Sequence, residues 1–234
     1  MGFEKICDQT YVCEEGRVRF FLLTGEKEAL LVDSGMETSN VIELALEITD
    51  LPLKLFNTHA DRDHTACNHE FDQVMMNPAE FVNYASPHPS QKMVPVFDGD
   101  ILDLGARPLK AIALPGHTPG STALLDLKSG MLFSGDPIQK DGQIFMFGPM
   151  RDLSAYILSL KRLWNIKDQI REIYPCHGTC PVSIDLVPDL IAGAERIERG
   201  EIQPRIIEMF GKRIAAYDTP CSTFLCDMDP GRLL

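Results

Sequence analysis

THADRDHTAC, residues 58–67, follows the apolar run LKLF and packs His59, Asp61, Asp63 and His64 into its first seven positions. A strand-like run that ends in alternating imidazole and carboxylate groups is a distinctive arrangement. Loops at the ends of strands are where open α/β sheets present their ligands, and this donor mixture suits a cation.

On either side of this cluster the chain alternates short extended runs with helices. QTYVCEE, RVRFFLLTG and EALLVDSG are rich in β-branched, aromatic and aliphatic residues and are punctuated by Gly, which predicts a hairpin-rich start. TSNVIELALEITDL places Val41, Leu44, Ala45 and Ile48 at helical spacing behind a Thr/Ser cap, so a helix is expected from near Thr38. DQVMMN then reads as a strand, PAEFVNYA as a short helix and SPHPSQ as a loop whose prolines preclude regular structure. ILDLG, PLKAIALPGH and TALLDLKSGMLFSGD read as extended, LSAYILSLKRLW as a helix, and IREIYPCHG as a strand ending in a histidine. SIDLVPDLIAGAERIERG makes a mostly helical finish despite Pro188. This order predicts an α/β chain with two β/α halves, its two sheets covered by helices outside, forming a single domain over residues 1–234.

Three more polar clusters stand where predicted strands run out: PGHTPGS (115–121), FSGD (133–136) and YPCHGT (174–179). They add His117, Asp136 and His177, giving seven candidate ligands with His59, Asp61, Asp63 and His64. Seven such groups exceed what one tetrahedral ion can use, so two metal ions are implied.

HADRDH, then GH, SGD and CHG in that order, with VDSG at Asp33, resembles the metallo-β-lactamase superfamily, whose usual motif is H-x-H-x-D-H followed by separate His, Asp and His. The resemblance spans residues from about 17 to 179 and implies a four-layer αββα sandwich with a dinuclear centre at one edge. It also implies one divalent ion on His59, residue 61 and His117, and a second on Asp63, His64 and His177. Asp136 would bridge the two ions, and Asp33 would support the loops without touching metal. The departure is Asp61, where the family has histidine. Zinc is the family's ion, but a more anionic shell favours harder metals, so iron or manganese gains. A carboxylate here also resembles flavodiiron proteins, with their H-x-E-x-D-H. The alternative for Asp61 is a side chain turned to solvent or to Arg62, outside the ligand set.

The net charge of −12 is spread without an acidic block and basic clusters are short, so nucleic acid is a poor partner and a small-molecule substrate is expected. No run approaches the roughly 18 apolar residues of a membrane span, and MGFEKICDQT lacks the basic and apolar regions of a signal peptide. A soluble, unexported, cytoplasmic protein with no membrane partner is expected. Its odd set of seven cysteines is then reduced, and Cys176 and Cys180 beside His177 read as incidental thiols. The oligomeric state stays open, a homodimer being one option.

IFMFGPM (144–150) is unusually apolar so soon after Asp136, and reads as a pocket wall or a buried strand. Phe145 and Phe147 in it, and Arg151 after it, are candidate substrate contacts, Arg151 for a carboxylate or as a plain helix-start residue. His69 and His88 lie outside the motifs, on a helix surface and in the Pro-rich loop. The leading expectation is a dinuclear hydrolase that delivers a metal-bridging hydroxide, oriented by the catalytic Asp63, to a small ester, thioester, lactone or phosphoester. A non-haem di-iron oxidoreductase, like the metal domain of flavodiiron proteins, is the alternative.

Overall fold

The computed structural model of the chain describes residues 2–85 and 91–228; His88 lies outside them. Seven strands form the first sheet in simple sequence order: β1 (Glu4–Cys7), β2 (Thr10–Glu15), β3 (Val18–Thr24), β4 (Ala29–Val32), β5 (Leu53–Phe56), β6 (Gln73–Met76) and β7 (Lys92–Pro95). The first four pair antiparallel as hairpins. From β4 onward pairing is parallel, with helices α1 (Val41–Leu46) and α2 (Phe81–Ala85) in the connections.

The second sheet takes β8 (Ile101–Asp103), β9 (Pro108–Ala113), β10 (Thr122–Asp126), β11 (Met131–Gly135) and β13 (Glu172–Pro175), with β13 parallel to β11 at its edge. Between β11 and β13 the chain makes β12 (Gln143–Met146) and helix α3 (Leu153–Trp164). Helix α4 (Leu186–Glu198) follows, and β14 (Arg205–Met209), β15 (Lys212–Asp218) and β16 (Thr223–Cys226) join β12 in a third, four-stranded sheet.

Strand alternation builds the layers. In β3, Phe21 and Leu23 point inward to meet Leu109, Ala111, Leu124, Phe133 and Tyr174 of the second sheet, while Phe20 and Leu22 point outward toward α1 and α2. Burying each such aromatic or leucine contributes about 1.5–3 kcal/mol. The second sheet's other face, with Ile112, Ala123, Leu125 and Leu132, packs on Tyr156, Ile157, Leu160 and Leu163 of α3 and Val187, Leu190 and Ala194 of α4. Helix, sheet, sheet, helix is the αββα order expected from the resemblance.

Two local expectations are corrected. The first helix begins at Val41, behind Asn40, and not near Thr38. The Thr38 hydroxyl instead donates to the buried carboxylate of Glu15, which also accepts from the backbone N–H groups of Met36 and Glu37 and so holds this stretch as a loop. SIDLVPDLIAGAERIERG is mostly helical as expected, over Leu186–Glu198, but it is not the finish: α4 is followed by the β14–β16 meander. Pro188 is the third residue of α4, where a missing N–H breaks no helical bond. Residues 144–146 of the apolar 144–150 stretch lie in β12, a strand paired in parallel with β16, and residues 147–150 follow it in a loop.

Candidate metal centre

All four polar clusters meet at one edge of the two sheets. After β5 the chain turns through a short 3₁₀ segment, Arg62–His64, which places Asp61 before it and Asp63 and His64 within it. Thr122 N–H donates to Thr58 O across the sheets, at 2.9 Å. Gly135 sits at φ +63, and a Cβ there would lie 2.8 Å from the Thr58 hydroxyl, so the SGD loop needs glycine to bring Asp136 this close.

The histidines are aimed through their Nδ1 atoms. His64 Nδ1 lies 2.8 Å from Asp33 Oδ2, His117 Nδ1 2.8 Å from Phe145 O, and His177 Nδ1 2.6 Å from Arg17 O. His59 Nδ1 is 3.0 Å from Thr58 Oγ1, whose hydroxyl donates to Asp33 Oδ2 at 2.8 Å. Acceptors at these positions hold a proton on every Nδ1 and turn each Nε2 inward.

Those Nε2 atoms converge with three carboxylates. His59 and His117 stand 3.6 and 3.4 Å from Asp61 Oδ2. His177 lies 3.2 Å from Asp63 Oδ2 and 3.3 Å from Asp136 Oδ1, and His64 lies 3.2 Å from Asp136 Oδ1. Asp136 Oδ2 turns the other way, 3.5 Å from His117 Nε2, so one carboxylate faces both groups. Metal–ligand bonds of about 2.0–2.1 Å in a tetrahedron set ligand atoms about 3.3–3.4 Å apart, and the observed separations match. His64 Nε2 and Asp136 Oδ1 are buried without a hydrogen-bond partner, as expected of atoms reserved for a cation. The donor set therefore fits two ions, with His59, Asp61 and His117 in one group and Asp63, His64, Asp136 and His177 in the other.

Burial opposes charge on the Asp136 carboxyl, yet His177 and His64 overcome it and hold the group well below the usual carboxylate range. Asp61 behaves likewise, burial being outweighed by His117 and His59. Burial would lower the His64 imidazole, but Asp136, Asp33 and Asp63 raise it well above its usual value; His177, by the same balance with Asp136 and Asp63, is pushed up to about 10. Burial lowers His117.

Asp61 faces neither solvent alone nor Arg62. Its Oδ2 accepts from Arg151 Nη2 at 2.7 Å, while Arg151 Nη1 donates to His117 O. Asp33, fully buried at φ +65, accepts from Thr58 N–H as well as from Thr58 Oγ1 and His64. Phe145 and Phe147, 5.4 Å apart, lie on the third sheet's outer face with Ile207 and Met209, and Phe147 stacks on the largely exposed Phe210. His69 is exposed, its Nδ1 bonded to Ala66 O. Cys176 is buried against Asp33, and burial raises its thiol far above its ordinary range, consistent with an inert role.

The sequence reading missed Glu80. Its fully buried carboxylate accepts from Ala60 N–H at 2.9 Å and Gly120 N–H at 2.7 Å, tying the first and second ligand loops together. The carbonyls of Arg17 and Phe145 were missed too, since a backbone acceptor has no signature in side-chain identity.

The fold and donor set define a metal-binding hydrolase class. The chain belongs to the metallo-beta-lactamase superfamily, whose family model matches residues 14–177. It is similar to an acyl-coenzyme A thioesterase of Gallus gallus, 26% identical over 201 residues that cover 69% of this chain and 72% of that protein. A hydroxyacylglutathione hydrolase of Gloeobacter violaceus is 28% identical over 191 residues, 78% of this chain and 73% of its own length. Among solved structures, a metallo-beta-lactamase from Pontibacter korlensis shares the fold with a TM-score of 0.67 at 17% identity, over 82% of this chain and 98% of that one. Among the described residues, no helix is long and apolar enough to cross a membrane.

Proposed function

We propose that the protein is a dinuclear metal-dependent hydrolase of small acyl thioesters. The observation that carries this reading is the set of four histidines, each turned by its Nδ1 contact so that its Nε2 faces Asp61, Asp63 and Asp136. Two divalent ions, which these groups would hold, would supply an acidified water nucleophile and a Lewis acid for the substrate carbonyl. Zinc, iron and manganese all suit such a mixed shell.

The chain's own residues orient and move protons. Asp136 reaches both groups, and Asp33 and Glu80 keep the ligand loops in register. Asp63 is half-buried and accessible from solvent, positioned to take a proton from the attacking water and return it to the leaving sulfur. Phe145 and Phe147 offer an apolar wall for an acyl group, and Phe145 is linked directly to the ligand His117 through its carbonyl. Two relatives are named for an acyl-coenzyme A and a hydroxyacylglutathione, and both compounds are thioesters.

The test is metal analysis of protein purified anaerobically without chelator, followed by assays on acyl-coenzyme A and acyl-glutathione thioesters, lactones and phosphodiesters. Thioester turnover that chelation abolishes and metal restores is the expected result. Phosphodiester or lactone turnover with inert thioesters overturns the substrate class. Tightly bound iron with electron-driven O₂ consumption and no hydrolysis overturns the hydrolase in favour of the di-iron oxidoreductase.

A further inference from the structure

The contact between Arg151 and Asp61 bears on the one position where this chain departs from its family's motif, and the inference below rests on the dinuclear reading above. Asp61 Oδ2 is shared: it faces the Nε2 atoms of His59 and His117 and also accepts from Arg151 Nη2 at 2.7 Å. A carboxylate oxygen has lone pairs enough for a cation and a guanidinium together. Arg151 is itself anchored. Its second Nη donates to His117 O, and the next residue, Asp152, donates its N–H to Gly116 O at 2.9 Å and caps α3 by accepting from Ala155 N–H. The guanidinium is 14% exposed and the Asp61 side chain 31%, so solvent screens the pair only in part.

We infer that Asp61 and Arg151 act as one neutral ligand unit, in which Arg151 is a positioning residue that offsets the Asp61 charge and restores at the first metal position the balance a histidine gives. Two divalent ions against Asp61, Asp63 and Asp136 leave one net positive charge; a histidine at 61 leaves two, and so does Asp61 with Arg151 beside it. The departure from the usual motif at Asp61 and the guanidinium of Arg151, ninety residues further along the chain, thus balance each other in charge.

The test uses the full chain and reads metal affinity by chelator competition with zinc alone, together with the melting temperature of the metal-free protein. Asp61→His leaves the guanidinium uncompensated beside the ion, and first-site affinity is expected to fall by ten-fold or more, an order-of-magnitude Coulomb effect. Asp61→His combined with Arg151→Met is expected to recover to within about three-fold of the parent, because the neutral balance returns. Arg151→Lys keeps the charge and is expected to stay within about three-fold, whereas Arg151→Met tightens the first ion by roughly ten-fold. A double variant no better than Asp61→His, or an Arg151→Met that weakens the site instead of tightening it, overturns the inference and leaves Arg151 a structural clamp. The metal-free melting temperatures separate loss of fold from loss of affinity. A parent protein that binds a single equivalent of zinc overturns the dinuclear reading as well, so the two failures are distinguishable.

Discussion

Asp33 Oδ2 lies 2.8 Å from His64 Nδ1, with both side chains fully buried. Since Asp33 also accepts from the backbone and hydroxyl of Thr58, one carboxylate sets the ring orientation of His64 and, through Thr58, that of His59. Asp33→Asn keeps the shape and tolerates the positive φ, but its amide nitrogen faces a donor. Metal affinity is expected to fall by about 10–100-fold, measured by chelator competition. Unchanged affinity means the Asp33 charge does not act on the ligands.

Asp61 is tested more directly by truncation. Asp61→Ala removes the carboxylate that His59 and His117 face, and is expected to remove about one metal equivalent, read by elemental analysis. Two full equivalents after truncation exclude Asp61 as a ligand.

Glu80 joins residues sixty positions apart, Ala60 and Gly120, and the prediction concerns both stability and the site. Glu80→Gln turns one of its two accepting oxygens into a donor facing a backbone N–H, at a cost of about 1–3 kcal/mol. Denaturant unfolding of the metal-free protein measures the loss. Metal affinity should fall with it, because the loops carrying Asp61 and His117 are no longer tied. A variant as stable as the parent contradicts the clamp.

The raised His64 and His177 set the direction of pH dependence. With His177 pushed up to about 10, a metal ion must displace protons at neutral pH, so apparent affinity rises with pH and proton release accompanies loading. Titration calorimetry in buffers of different ionisation enthalpy counts those protons, and a count near zero at pH 7 contradicts the prediction. For the metal-free protein the sign reverses on the alkaline side. Histidines raised by folding stabilise fully below their unfolded value of about 6.5 and lose that contribution as pH climbs through about 10 for His177. The depressed Asp136 and Asp61 stabilise above their unfolded value of about 3.9 and lose that contribution in acid. Metal-free stability is therefore expected to peak between about pH 4 and 6.5, and melting temperatures across that range check it.

Much of this architecture was readable from local pattern. The strand runs ended where the polar clusters began, and LSAYILSLKRLW forms α3 from Leu153–Trp164 because its apolar spacing suits one face against the second sheet. The start of α1 was misread because Thr38, a good cap by type, is recruited by Glu15 from twenty-three residues away. The β14–β16 meander is built of local hairpins that the sequence reading passed over, while its pairing with β12 joins segments about eighty residues apart, beyond the reach of any short window.

The sequence by itself determined the ligand inventory and its order along the chain, since donor chemistry belongs to residue type and strand ends belong to local periodicity. Only the tertiary structure decided how those ligands are held. The acceptors for the Nδ1 atoms of His64, His117 and His177, the Glu80 clamp and the Arg151 partner of Asp61 are distant carbonyls, carboxylates and a guanidinium. They meet because two sheets pack face to face and bring their loop ends to one edge, and that proximity is a property of the packed core, not of any segment alone.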